Sequence, residues 1–182
     1  MFLQISRSAI SRSVLFIIMR LQMNCNEIVL RPYLPEDLEQ IITLYQASVR
    51  QLAAGDYTPG QIAAWSTCDR ERWQRMMSSG QILLAIIGER IAGFSRTEPD
   101  GYLDLLFTHP DFPRRGVATR LADRLESDLR QQGIKQVTTH GSITAQPFYL
   151  GRGYQVLEQQ QVEVRGETFV NYRMSKALSE EG

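Results

Sequence analysis

The chain has 182 residues, enough for one domain or for one domain with a tail, but not for a second catalytic domain. Its 20 basic residues equal its 20 acidic residues, so no overall field would draw nucleic acid or an anionic membrane towards it. Neither of its two cysteines, Cys25 and Cys68, has a second cysteine or a histidine at metal-ligand spacing. We therefore expect free thiols in a cytoplasmic protein, with no metal site and no disulfide.

Residues 1–26 differ from the rest of the chain. Arg7, Arg12 and Arg20 precede the first acid, Glu27, and several serines lie among them. The apolar run over residues 14–19 is too short for a secretory signal or for a membrane span of ~20 residues. We interpret the segment as an N-terminal extension, disordered or produced by an upstream start codon; a transit peptide or a basic amphipathic helix is the alternative. Residues 27–182 are then one domain.

Hydrophobic patterns divide the first part of this domain into short elements. Pro35 opens a predicted helix in which apolar residues recur at helical spacing as far as Val49. Gly88 and Glu89 separate two apolar runs and are typical of a hairpin turn. The predicted strands cover residues 27–31, 81–87, 90–97 and 102–108, and the shorter helices cover residues 59–65 and 69–77.

The second part contains the best-defined helix, which carries an apolar stripe from Ala118 to Leu129 and ends at Gly133. A closing pair of strands is expected to turn at Arg165 and Gly166. The remaining predicted elements are strands over residues 136–139, 154–164 and 168–174 and a helix over residues 145–151. This order predicts an α/β domain with a mixed, mostly antiparallel sheet of about six to seven strands, covered by helices on both faces.

The segment from His109 to Ala118 joins a strand to the long helix and could hold an anion. The first turn of a helix carries amide hydrogens without internal partners and the positive end of the dipole. Gly116 and Ala118 keep the approach clear, and Arg114 and Arg115 add positive charge. The segment lacks the P-loop and the dinucleotide fingerprint. Alone, it could equally be a solvated helix start in which glycine relieves a tight turn.

Three blocks of sequence occur in the order found in one enzyme superfamily: IVLRPYLPEDLEQIITLY, YLDLLFTHPDFPRRGVATRL and SITAQPFYLGRGY. Together they make residues 27–178 resemble the GNAT acetyltransferases. The ending VEVRGETFVNYRMSKAL is similar to that of a small bacterial-type subgroup of unassigned substrate. The resemblance implies a GNAT fold and an N-acetyltransferase. Such an enzyme transfers the acetyl group of acetyl-CoA to a primary amine of a small molecule or peptide, by direct attack in a ternary complex. The family motif usually begins with Gln or Arg, whereas this chain has Pro113, which lacks an amide hydrogen.

The resemblance also implies which residues bind the cosubstrate. The pyrophosphate would lie at the start of the long helix, and the strand over residues 105–107 would pair with the pantetheine arm through its backbone. The implied cofactor-binding residues are Leu105, Leu106, Phe107, Arg114, Arg115, Gly116, Val117, Ala118, Thr119 and Phe148.

Three residues are candidates for the chemistry. Tyr149 matches the family position proposed to protonate the coenzyme A thiolate, although it could be only a core aromatic residue. Asp104 is a candidate base and, by strand alternation, is expected on the face opposite Leu105 and Phe107. His140 is a second candidate, at the end of its predicted strand.

The sequence leaves open the roles of one further histidine and of two aromatic residues. His109 could take part in the chemistry or only stabilise its turn. Tyr57 and Trp65 could line the acceptor pocket or only pack in the core. A strongly acidic acceptor pocket would favour polyamines or aminoglycosides.

Two alternatives to the enzyme concern the whole chain. A non-catalytic acyl-CoA sensor would share the pyrophosphate site but would not turn over. A nucleic-acid binder would need an excess of positive charge that the composition lacks. The final strands leave a homodimer open.

Overall fold

Seven strands form one mixed sheet in the computed structural model, which describes residues 27–178. Their order is β1-β2-β3-β4-β5-β7-β6, and all neighbours are antiparallel except β4 and β5. The strands are β1 (Ile28–Pro32), β2 (Gln81–Ile87), β3 (Arg90–Thr97), β4 (Tyr102–Thr108), β5 (Gln136–Ser142), β6 (Gln155–Val164) and β7 (Glu167–Ala177). The predicted sheet is confirmed, whereas the predicted N-terminal extension and Cys25 lie outside the described residues.

Helices cover both faces of this sheet, as predicted. The first helix packs on Leu84 and Phe94, and the long fourth helix packs on Leu83 and Ala85 of the other face. Within residues 27–178, no helix is long and apolar enough to cross a membrane. The helices are α1 (Leu38–Leu52, entered through a 3-10 turn over Pro35–Asp37), α2 (Pro59–Ser66), α3 (Arg70–Met76), α4 (Val117–Gln131) and α5 (Gln146–Gly151).

Strand β5 is longer than the sequence predicts. The predicted strand ends at Thr139, but the observed strand continues to Ser142 because β7 pairs with it along its whole length, as far as the pair Ser142 and Asn171. His140 therefore lies inside a strand and not at its end. Polar and small residues carry little strand signal, so only the partner strand defines this part of β5.

A β-bulge at Asp104 changes the faces on which the residues of β4 lie. Arg96 of β3 pairs with Leu105 and Thr97 pairs with Leu103, so Asp104 is an extra residue without a partner in β3. Leu103 consequently packs against α4, whereas Leu105 packs against the α1 cluster. The prediction that Asp104 lies on the face opposite Leu105 and Phe107 is wrong, because Asp104 lines the same cavity as these two residues.

Helix α4 can approach the sheet closely because β3 has glycine at position 93. A Cβ built on Gly93 would lie 2.6 Å from Val117 Cγ1 and 2.9 Å from the carbonyl oxygen of Phe107. Both contacts are shorter than van der Waals packing allows, and one is to rigid backbone. The position of the N-terminus of α4 over β4 thus depends on the absence of a side chain at Gly93.

We expect Gly93→Ala to lower the free energy of unfolding by ~1 to 3 kcal/mol, because the added methyl group must displace α4 or the β4 backbone. Urea denaturation measures the effect. Gly55→Ala is the matched control, since a Cβ there meets nothing within 4 Å, and it should change stability far less. Equal effects of the two substitutions would contradict the close-approach explanation.

Candidate active site

Strands β4 and β5 separate soon after they meet, and this opens a cleft in the sheet. Their parallel pairing consists of Tyr102 with Thr138 and Leu103 with Thr139. Beyond Leu103, the β5 side of β4 has no strand partner among the described residues. Backbone donors and acceptors there are available to an extended ligand, which can add to β4 as another strand would.

The first of two cavities in this cleft lies below the N-terminus of α4, and we call it the α4 cavity. Its volume is about 250 Å³. Ala118 of α4, Phe148 and Tyr149 of α5, and Leu106 of β4 line it. The sequence placed these residues at the cosubstrate site, and the structure brings them together.

The second cavity lies between α2 and the β6–β7 hairpin, and we call it the hairpin cavity. Its volume is about 230 Å³. Tyr57 and Trp65 line it, with ring centroids 5.3 Å apart, so both residues are packed together and are also exposed to this space. Packing is therefore observed for both residues, while an acceptor-binding role stays a prediction.

The two cavities meet at a shared wall. The residues that line both are Trp65, Asp104, Phe107, His140 and Ser142. This wall contains the two candidate bases, Asp104 and His140. A molecule in one cavity therefore faces a molecule in the other across these side chains.

The start of α4 leaves an accessible set of amide hydrogens. Gly116 occupies the N-cap position with φ 79°, has no side-chain cap, and leaves open space where a Cβ would stand. The hydrogen bond from Arg120 N–H to Gly116 O, 2.9 Å long, begins the helix, so the amides before it need other acceptors. Val117 is buried in the core, while Ala118 is half-buried at the α4 cavity.

The residues around that turn are arranged to present positive charge. Arg114 is exposed and adopts φ 56°, a left-handed conformation. The guanidinium of Arg115 lies 5.7 Å from the ring centroid of Phe112. Thr119 and Pro113 are exposed. His109 Nδ1 accepts a hydrogen bond of 3.1 Å from the Asp111 N–H, so His109 stabilises the turn.

Tyr149 is buried against both the core and the α4 cavity. Burial raises the pKa of its phenol to about 12, although a hydrogen bond with Thr139 opposes the shift. Its ring centroid lies 5.1 Å from that of Tyr154 and 5.5 Å from that of Phe148. The hydroxyl group therefore stays protonated at neutral pH, as a proton donor must.

Asp104 is held by a buried arginine that the sequence analysis did not single out. Arg96 Nη1 lies 2.7 Å from Asp104 Oδ2 and 2.7 Å from Glu98 Oε1, and the Arg96 side chain is only 4% exposed. Arg96 Nε also donates to the Met76 carbonyl oxygen at 2.9 Å. The arginine fixes the Asp104 carboxylate at the shared wall and shares its positive charge between Asp104 and Glu98.

His140 is exposed on β5, and its ring centroid lies 5.6 Å from that of Tyr102. Within residues 27–178, no group of three or more histidine, cysteine, aspartate or glutamate side chains is arranged to hold a metal ion.

Asn171 of β7 is a further polar residue that the sequence analysis missed. It lines the hairpin cavity, and its Oδ1 is buried without a hydrogen-bond partner among the described residues. An asparagine in an alternating strand carries no functional signal in one sequence, so only the cavity reveals it.

Comparison with known proteins identifies the family. The model of the acetyltransferase (GNAT) domain matches residues 53–176. The chain is 39% identical over 153 residues to the uncharacterized N-acetyltransferase YafP of Escherichia coli K12, covering 82% of this chain and 95% of that protein. A GCN5-related N-acetyltransferase from Rhodopseudomonas palustris is similar in structure, with a TM-score of 0.80 and 34% identity. The match covers 82% of this chain and 95% of that protein. The chain belongs to the GNAT acetyltransferase family.

A more distant solved structure shares the fold. The PaiA N-acetyltransferase of Thermoplasma acidophilum, solved in complex with coenzyme A, has a TM-score of 0.67 at 20% identity and covers 83% of this chain and 99% of its own. The fold and the family predicted from the sequence are confirmed.

We expect Arg96→Leu to lower the free energy of unfolding by ~2 kcal/mol, because it leaves the Asp104 carboxylate without its buried partner. Chemical denaturation measures the loss. Arg90→Leu is the matched control: its ion pair with Asp111 is exposed on both sides and should contribute less than ~1 kcal/mol. A loss no larger than that of the control would argue against an organising role for Arg96.

Proposed function

We propose that this GNAT protein transfers the acetyl group of acetyl-CoA to a primary amine of a small molecule or peptide, by direct attack in a ternary complex. The observation that carries the proposal is the wall shared by the α4 cavity and the hairpin cavity. Direct transfer requires two ligands to bind side by side with their reacting atoms in contact. Two separate spaces that meet at Asp104 and His140 satisfy this requirement.

Acetyl-CoA would bind along β4 and below α4. Its pyrophosphate would accept hydrogen bonds from the first amides of α4, beside Arg114 and Arg115. Its pantetheine arm would pair with the backbone of residues 105–107 and reach Phe148. Two proteins of this fold support the binding of such a cosubstrate. The Thermoplasma acidophilum protein was solved with coenzyme A, and YncA of Salmonella typhimurium was solved with acetyl-CoA.

The acceptor amine would enter the hairpin cavity and must lose a proton before it attacks. An alkylamine with a pKa near ~10.4 is mostly protonated at neutral pH, and removing that proton costs ~4 to 5 kcal/mol. Asp104, fixed by Arg96, attracts the ammonium group, and His140, which is exposed, accepts the proton and passes it to water.

The leaving sulfur is protonated by Tyr149. The amine nitrogen forms a bond to the thioester carbonyl carbon and then releases its second proton to His140, the bond between carbon and sulfur breaks, and the sulfur leaves with the electron pair. Tyr149 donates its phenolic proton to that sulfur, which yields the free thiol, and is reprotonated from solvent through the α4 cavity. A cytoplasmic location and a homodimer stay predictions.

We expect Gly116→Glu to weaken coenzyme A binding by more than ~10-fold, because a carboxylate at the N-cap repels the diphosphate. Isothermal titration calorimetry measures the dissociation constant. Gly133→Glu, at the other end of α4, is the matched control: it has the same φ of 79° and the same open space, so it imposes the same backbone strain. Equal effects at both ends would show that the diphosphate lies elsewhere.

We expect Tyr149→Phe to lower kcat by ~100-fold with little change in acetyl-CoA affinity, because it removes the proton donor and keeps the buried ring. Thiol release from acetyl-CoA in the presence of a panel of primary amines measures turnover. An unchanged kcat would remove Tyr149 from the mechanism. If the wild-type protein binds acetyl-CoA but releases no thiol with any amine of the panel, the non-catalytic acyl-CoA sensor is supported instead.

A further inference from the structure

The hairpin cavity is lined mainly by rings and branched aliphatic side chains. The aromatic residues come from four separate elements and from the loop between α1 and α2, so the apolar surface lies on several sides of the space and does not form a single patch. Those that line the cavity are Tyr45, Tyr57, Trp65, Phe107 and Phe169. Val162 and Val164 of β6 complete the wall on the hairpin side. A ligand with a flat apolar body would lose water contact on both faces here.

The charge of the cavity does not suit a polycation. Asp104 is the single carboxylate among the described lining residues, and it shares the buried Arg96 with Glu98. A polyamine or an aminoglycoside would bring several ammonium groups into an apolar space, where each needs its own acidic partner. The acidic pocket that would have favoured such acceptors is not formed by these residues.

The size of the cavity suits a small acceptor. Its volume of about 230 Å³ accommodates one ring with a short chain.

The enclosure is also held in place. Gln61 Nε2 donates to the Thr168 carbonyl oxygen at 2.7 Å, and Arg165 Nη1 donates to the Ala64 carbonyl oxygen at 3.0 Å. These bonds tie α2 to the β6–β7 hairpin, so the cavity is formed before a ligand enters.

We propose that the acceptor is a small primary monoamine with a single flat apolar ring, bound in the hairpin cavity with its nitrogen at the wall shared with the α4 cavity. This inference rests on the proposed acetyl transfer and narrows its substrate class. The amine loses one proton to His140 before it attacks, its nitrogen takes the acetyl group and then loses a second proton by the same route, and Tyr149 protonates the leaving sulfur.

The test compares 2-phenylethylamine with 1,4-diaminobutane, spermidine, kanamycin and a short peptide with a free N-terminus, using the full chain and thiol release. We expect kcat/KM for 2-phenylethylamine to exceed that for each of the others by at least ~10-fold. A preference for any of the others overturns this inference and leaves acetyl transfer standing. Absence of turnover with every amine overturns the proposed function and this inference with it.

Val164→Glu places a second carboxylate in the cavity wall. We expect it to shift the ratio of kcat/KM values from 2-phenylethylamine towards 1,4-diaminobutane by ~10-fold or more. Val156→Glu, on the same strand but 41% exposed and outside the lining, is the matched control and should leave the ratio unchanged. Equal ratios in both variants overturn the placement of the acceptor in this cavity.

Discussion

The separation of β4 from β5 is the constraint on which the rest of the site depends. The two parallel strands share only two residue pairs before they diverge, and the space between them becomes the cleft. A bulge strengthens the local twist of a strand, and the bulge at Asp104 stands where β4 turns away from its partner. The same irregularity thus frees backbone groups for a ligand and turns a carboxylate towards the cavities.

Such a cleft exposes polar groups that a continuous sheet would satisfy, so the surrounding structure must hold it open. Arg96 does this from β3, because one buried guanidinium binds Asp104, Glu98 and the carbonyl oxygen of Met76. Gly93 on the same strand lets α4 lie close to β4. The ion pair and the close helix contact therefore position the two sides of the proposed cosubstrate site from a single strand.

The acceptor side is built differently, from parts that are distant along the chain. Helix α2 is tied to the β6–β7 hairpin, and the bond between Gln61 and Thr168 spans 107 residues. Aromatic rings from α1, α2, β4 and β7 then enclose the space. The proposed cosubstrate site thus offers backbone groups and positive charge, whereas the proposed acceptor site offers apolar surface.

The sequence by itself determined the features with local signals: the β2–β3 hairpin at Gly88 and Glu89, the turn at Arg165 and Gly166, the apolar stripe of α4 and the order of the motifs. Only the tertiary structure decided the bulge at Asp104, the extension of β5 through His140, and the ion pairs of Arg96. The physical reason is that register and enclosure arise between segments far apart in the chain. A turn or a helical stripe is specified by neighbouring residues, but a cavity wall is specified by whichever strands pair.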